Sequence, residues 1–334
     1  MRKLSVTKLK PRMTLAKGIY TGDGRILLPT GTILQDSYIE RLNQLDLKFV
    51  FITDELLAKA QIKEVISEPA WIDLQQAVRD LFNKVGKIHG INFDIIRQAL
   101  DNIIYEIISN RDRLSNYCDW GHGEPLANHS VNVCILALMM GLKREYNIKQ
   151  LEQLATGALL HDIGKALNNN SPQKTTGDHT TEGFQFLKDN DNIPLLSAHV
   201  AYQHHEKWDG SGLPRHLKGE AIHEYARIVA VADTYDSLIR EHDLPPWAVI
   251  DHLKTLSGNS LDSELVELFL SIIPTFPLGT TVQLSTNEKG VVVDIPQENP
   301  DRPVVWMTDY FKQQTRELRL AEIPQINVIG IIID

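Results

Sequence analysis

The chain has 334 residues, 43% hydrophobic and 23% charged, which is ordinary globular usage and excludes disordered, collagen-like and fibrous proteins. Thirty-four Lys and Arg face 43 Asp and Glu, a formal net charge of −9. Such a field repels polyphosphate backbones, so bulk DNA or RNA is not an expected partner, although a local metal or basic cluster can still hold a small anion. The length suggests about two domains with room for a small third. Cys118 and Cys134 are too few for a disulfide framework and fit a reducing compartment. No membrane span is expected, because no apolar run approaches the roughly 20 residues that crossing requires. Met1-Arg2-Lys3-Leu4-Ser5-Val6 lacks the apolar core of a signal peptide. The expected location is cytoplasmic.

Residues 4–53 read as short strands around one helix. Thr21-Gly22-Asp23-Gly24 is a turn, and 25–29 follows as a strand. Ile39, Leu42 and Leu45 lie at helical spacing within 36–45, and 48–52 is a compact strand. Residues 1–57 are thus a small α/β module, too short for an enzyme core and suited to regulation. From 58 to 275 the pattern turns helical. Phe93, Ile96, Leu100, Ile103, Ile104 and Ile107 form one stripe over 91–109, and further helices follow, joined by short polar loops. After Pro274 and Pro277, the segments 279–285, 290–294 and 303–307 are β-type runs separated by turn-rich stretches. The expected architecture is mainly α: a helical core over 58–275, flanked by the α/β module 1–57 and a small β-rich module 276–334.

Twelve histidines are present, none before His89. Five of them, with two aspartates, sit at helix edges or beside glycine turns. His129 heads an apolar helical run containing Val133, Leu136, Ala137 and Met140. His161-Asp162 closes a helix over 151–160, just before Gly164. His179 lies near a helix start, His204-His205 follow another helical stretch, and Asp233 lies in the alanine-rich run 226–233. Imidazole with carboxylate suits Fe, Mn, Zn or Ni better than Ca or Mg. Asp162 is the natural bridging carboxylate, having one oxygen for each of two cations. Adjacent helical residues diverge by about 100°, so His204 and His205 are expected to serve different ions of a close pair. Such a pair activates water and clamps a phosphoryl group, and Lys165 is placed to meet a phosphate oxygen or the nucleophile. A lone His-Asp pair is commonplace, but seven such groups in this setting make a metal site the expectation. His89, His122, His199, His216, His223, His242 and His252 read as ordinary surface or packed histidines.

Gly157-Ala158-Leu159-Leu160-His161-Asp162-Ile163-Gly164-Lys165 is followed by His204-His205-Glu206-Lys207-Trp208-Asp209-Gly210-Ser211-Gly212-Leu213-Pro214. Further on comes Ala226-Arg227-Ile228-Val229-Ala230-Val231-Ala232-Asp233-Thr234-Tyr235-Asp236. This arrangement resembles the HD-GYP family, the branch of the HD-domain metal-dependent phosphohydrolases that degrades cyclic di-GMP in bacteria. The likeness runs over 129–236, and the surrounding helices extend it to most of 70–275. It implies an all-helical core with His129, His161, Asp162, His179, His204, His205 and Asp233 as metal ligands. It also implies Asp162 and Lys165 as the catalytic pair, and hydrolysis of a cyclic dinucleotide by a hydroxide activated between two divalent transition-metal ions. Fe or Mn is favoured, with Ni or Zn as alternatives.

Three departures modify that expectation. Leu213 stands where the signature has tyrosine. Pro125 occupies the position, four residues before His129, at which some members carry a glutamate associated with a third metal; Glu124 is one residue out of step, so two ions are expected. The basic, tyrosine-containing stretch of many relatives is replaced by 237–246, where Arg240 is the one strong cation. Leu213 and Arg240 are therefore the candidate substrate contacts of a weakened or rebuilt grip. The expected function is a cyclic di-GMP phosphodiesterase. The alternatives are a metal-holding signalling module without catalysis and a phosphohydrolase for another nucleotide. Regulation, homo-oligomer formation or contact with a signalling partner is left to the terminal modules.

Overall fold

The computed structural model describes the chain apart from residues 22–24, 46, 48, 55–63, 88–92, 118–123, 171–177, 241–245, 310–313 and 333–334, and the side chains of 170, 308, 309 and 314. Two units emerge, one formed by 1–65, 112–122 and 273–334, the other by 66–111 and 123–272.

The first unit contains β1 (Arg2–Ser5), β2 (Ile19–Tyr20), β3 (Ile26–Leu28), α1 (Asp36–Gln44) and β4 (Phe49–Ile52). β1 pairs antiparallel with β4 and β2 with β3. Leu4, Val6, Leu15, Ile19, Leu34, Leu42 and Val50 close over one another as their core. The predicted turn at Gly22-Asp23-Gly24 lies outside the described residues. The same unit carries a five-stranded antiparallel sheet of order β8-β7-β6-β5-β9. Its strands are β5 (Thr281–Leu284), β6 (Lys289–Asp294), β7 (Val304–Asp309), β8 (Gln314–Arg319) and β9 (Val328–Ile332). Strand alternation sends Val282, Leu284, Val292 and Val305 to one face, and Val291, Val293 and Val304 to the other. The sequence reading located β5, β6 and β7 but neither β8 nor β9.

The second unit is all-helical among its described residues, as expected: α2 (Glu68–Lys84), α3 (Asp94–Ser109), α4 (Pro125–Lys143), α5 (Ile148–Leu160), α6 (Ile163–Asn170), α7 (His179–Lys188), α8 (Leu195–Gln203), α9 (Glu224–Arg240), α10 (Pro246–Leu256) and α11 (Ser263–Leu270). α4 is its axis. Val131, Val133, Cys134, Ile135, Leu136, Ala137, Leu138, Met139 and Met140 are all buried. Apolar residues right round a helix mark one enclosed by neighbours, here α2, α5 and α9. By length and composition α4 could cross a membrane, a correction to the expectation that no run approaches that length. It escaped notice because Asn128, His129, Ser130 and Asn132 interrupt the apolar run. In the fold, 78% of its apolar window is buried inside the protein.

α4 starts where it does for local reasons. Pro125 takes the first helical position, where no N–H is needed. The Glu124 carboxylate caps the free amides, accepting from Leu126 N at 3.2 Å and Ala127 N at 2.6 Å. α5 starts with a reciprocal pair in which the Asn147 and Gln150 side chains each accept from the other's backbone N–H. The phase of these two helices determines where His129 and His161 fall.

Candidate metal centre

The donors are delivered largely by helix ends, where the chain is free to turn. His129 lies in the early part of α4. His161 caps the C-terminus of α5, and Asp162 lies between α5 and α6. His179 opens α7, His204 caps α8, and Asp233 lies within α9. Gly164 makes the α6–α7 approach possible, because a Cβ there would overlap the main chain of His179. Gly212 plays the same part in the next loop. A Cβ on it would overlap the backbone of His205, Glu206 and Lys207, so glycine lets the loop fold back on the histidine pair. Glu206, buried, holds that loop by accepting from Arg215 N at 2.7 Å and Leu217 N at 2.9 Å.

Asp162, fully buried, sits in the middle. Its Oδ1 is 3.3 Å from His179 Nε2 and 3.6 Å from His204 Nε2. Its Oδ2 is 3.5 Å from His161 Nε2, 3.8 Å from His129 Nε2 and 2.6 Å from Lys165 Nζ. On the far side, His129 Nε2 is 3.1 Å from Asp233 Oδ1. Three sets of donor atoms lie within 4.8 Å of one another: His129, His161 and Asp233; His161, Asp162 and His204; and His179, His204 and His205. The structure thus gathers all seven predicted donors into one cluster.

The last set corrects one expectation. His204 and His205 were expected to diverge as neighbours on a helix, yet their rings are 4.1 Å apart and one nitrogen of each falls beside His179. α8 ends at Gln203 with His204 as its C-cap, so His205 lies beyond the helix that the 100° step describes.

The charge states of His161 and His205 suit a cation. His161 Nδ1 donates to Ala158 O at 2.7 Å and His204 Nδ1 to Ala201 O at 3.0 Å. A carbonyl can only accept, so the proton is on Nδ1 and the Nε2 lone pair points inward. Burial pushes His161 down to about 4; burial and neighbouring His204 push His205 down to about 3. Both rings are therefore neutral near pH 7, the form that binds metals. Burial works to raise Asp162, but His161, His179 and His204 hold it well below the ordinary carboxylate range. Asp233 is likewise lowered against its burial by His129 and His161. His129 moves the other way: burial lowers it, but Asp233 and Asp236 outweigh that and raise it to about 10.

His161 Nε2, His179 Nε2, His204 Nε2 and Asp162 Oδ1 are buried without a hydrogen-bond partner. Each such atom costs about 1–3 kcal/mol. Four of them converging on one place would be satisfied by bound cations, and imidazole with carboxylate is a donor set for a divalent transition metal.

The remaining candidates lie around this cluster. Lys165, half-exposed, reaches in from the first turn of α6. Arg240 donates Nη2–H to Pro125 O at 2.9 Å and brings Nε to 3.7 Å from Asp236 Oδ2. Leu213 is 57% exposed, its N–H bonded to His205 O at 3.1 Å. Glu124 is occupied with capping α4. One residue escaped the sequence reading, which quoted Asp236 in a motif but gave it no role. Its Oδ2 lies 2.7 Å from His129 Nδ1, and its Oδ1 accepts from Asn132 Nδ2 at 2.9 Å. The available signal was its spacing of three from Asp233, which puts both carboxylates on one face of α9.

Residues 126–238 match the family model of the HD domain, and this span contains all seven donors. The chain is 30% identical over 182 residues to the cyclic di-GMP phosphodiesterase PA4108 of Pseudomonas aeruginosa, covering 50% of this chain and 44% of that protein. It is 30% identical over 191 residues to a cyclic di-GMP phosphodiesterase of Thermotoga maritima, covering 52% and 50%. It therefore spans half or less of the length of these curated relatives. In fold it is similar to Bd1817, an HDG"Y"P protein from Bdellovibrio bacteriovorus, with a TM-score of 0.54 at 19% identity, covering 80% of this chain and 97% of that one. The resemblance to the HD-GYP branch read from 157–165 and 204–214 is borne out by these matches. HD domains bind divalent metals, and the three donor sets within the matched residues fit such ions.

Proposed function

We propose that this chain is a phosphodiesterase that hydrolyses cyclic di-GMP with two divalent ions. The observation that supports this most is the convergence of three buried, unpartnered imidazole nitrogens, those of His161, His179 and His204, on Asp162, whose own Oδ1 is likewise unpartnered. His129, His161 and Asp233 would hold one ion and His179, His204 and His205 the other, with one oxygen of Asp162 facing each set. Fe or Mn suits these donors best, with Ni or Zn as alternatives. Such ions would supply Lewis acidity toward phosphoryl oxygens and a water of lowered pKa.

The protein's own groups do the rest. Asp162 and the neutral rings keep the donor geometry fixed before substrate arrives. Lys165 places a positive charge beside Asp162 where negative charge develops on phosphorus. Arg240, engaged with Pro125 O and Asp236, supports the frame of the site and is a poor phosphate clamp. Leu213 offers the substrate an apolar surface in place of a phenol. The donor sets found among the described residues all lie in the second unit, which accords with a regulatory or contact role for the terminal segments.

Two ions, not three, are expected because both oxygens of Glu124 cap α4. Glu124→Ala should cost about 1 kcal/mol of stability and leave the number of bound ions unchanged by metal analysis. A lower count would make Glu124 a ligand.

The activity is tested by loading the chain with Mn2+ or, without oxygen, Fe2+, and offering cyclic di-GMP, a hybrid cyclic dinucleotide and a phosphomonoester. Linear dinucleotide or mononucleotide from cyclic di-GMP is the expected result. Tight binding without product would favour a signalling module, the second reading, which Leu213 and the engagement of Arg240 support. Turnover confined to another substrate would overturn the assignment to cyclic di-GMP.

A further inference from the structure

We infer that Asp236 is a positioning residue that fixes the ring of His129 and so sets the affinity of one ion site separately from the other; this rests on the two-ion reading above. Asp236 is buried, at 4% exposure. Its two oxygens are 2.7 Å from His129 Nδ1 and 2.9 Å from Asn132 Nδ2. His129 and Asn132, three apart, share a face of α4, and Asp236 and Arg240, four apart, share a face of α9. Arg240 completes a clasp between the helices, with Nε 3.7 Å from Asp236 and Nη2 bonded to Pro125 O.

The clustered rings differ in what stands behind them. His161 and His204 rest on the main-chain carbonyls of Ala158 and Ala201, neutral acceptors that belong to the helices. His179 Nδ1 is 3.8 Å from Asp178, too long for a hydrogen bond. Among the described residues, His129 has a carboxylate at bonding distance behind it, whereas His161, His179 and His204 do not. A carboxylate accepting from one ring nitrogen locks the tautomer, aims the other nitrogen and makes it a stronger donor. The set His129, His161 and Asp233 therefore depends on Asp236, whereas the set His179, His204 and His205 is anchored by Ala201 O and by the start of α7.

The test equilibrates the full chain with Mn2+ alone, then titrates it with a chelator while counting ions retained. In Asp236→Asn one ion should be released about 10–100-fold more readily than in the unmodified chain, with the other unchanged. Asp236→Glu, which keeps the charge, should recover part of the loss. Equal release from Asp236→Asn and the unmodified chain would overturn the inference. So would joint loosening of both ions with a lower unfolding temperature of the metal-free protein, which is what a merely structural role predicts. Should Asp236→Asn not fold, Asn132→Ala removes one tether of the carboxylate and should loosen the same single ion, though less; no selective change in it overturns the inference. An unmodified chain that takes up no ions would overturn the ligand set and this inference together. Selective loosening in a chain that leaves cyclic di-GMP intact would support the inference and overturn the activity alone.

Discussion

Asp162→Asn is expected to strip the site of its ions and to cut cyclic di-GMP turnover by more than about 100-fold, the upper range for losing only a group behind a metal ligand. The reason is geometric. Four imidazole nitrogens lie 3.3–3.8 Å from its oxygens, and Asp162 is the carboxylate of the donor set that shares His161 with one outer set and His204 with the other. The amide has nearly the same shape, so the exchange removes charge and one metal-binding oxygen with little change in packing. It also removes the negative partner of Lys165. Metal content after desalting and the rate of product formation are the measurements. A variant that kept both ions would show that Asp162 is not the bridge.

Gly164→Ala is expected to have the next largest effect, through shape alone. The added Cβ would run into the carbonyl group and Cα of His179. These are main-chain atoms, so no flexible side chain can yield, and α6 and α7 must move apart. Overpacking of this kind costs about 1–3 kcal/mol. Because His179 moves with α7, the variant should also lose the ion held by His179, His204 and His205. Thermal unfolding and ion counting check the two parts together; a normal melting temperature with a full ion complement would contradict this account of why glycine is needed.

Much of the site could be read in the sequence because its chemistry is confined to helix edges. His129, His161-Asp162, His179, His204-His205 and Asp233 each carry a local signal, either the end of an apolar stripe or a glycine turn. What failed was extrapolating local geometry. The His204–His205 divergence assumed a helix that stops at Gln203. Glu124 was weighed as a ligand one residue out of step, although a carboxylate just before Pro125 at a helix start is also a capping arrangement. Asp236 has meaning only once α4 and α9 pack, since its partner His129 is 107 residues away.

The fold shows the same division. α3 announces itself by its stripe, and β6 by its run of valines. β8, Gln-Thr-Arg-Glu-Leu-Arg, is an edge strand with too little apolar alternation to be read. β9, Val-Ile-Gly-Ile-Ile, did carry a strand signal, but its place beside β5 is a long-range pairing that no local pattern encodes. The bond from Lys3 N to Gly279 O at 3.0 Å joins segments that the sequence presents as separate modules, for the same reason.

The most direct test is anomalous diffraction from crystals of the Mn- or Fe-loaded protein, collected at the absorption edge of that metal. Two peaks are predicted, one against His129, His161 and Asp233 and one against His179, His204 and His205, each within bonding distance of an Asp162 oxygen. Peaks elsewhere, or none in protein shown to carry the metal, would contradict the central claim that these seven side chains form a two-ion site.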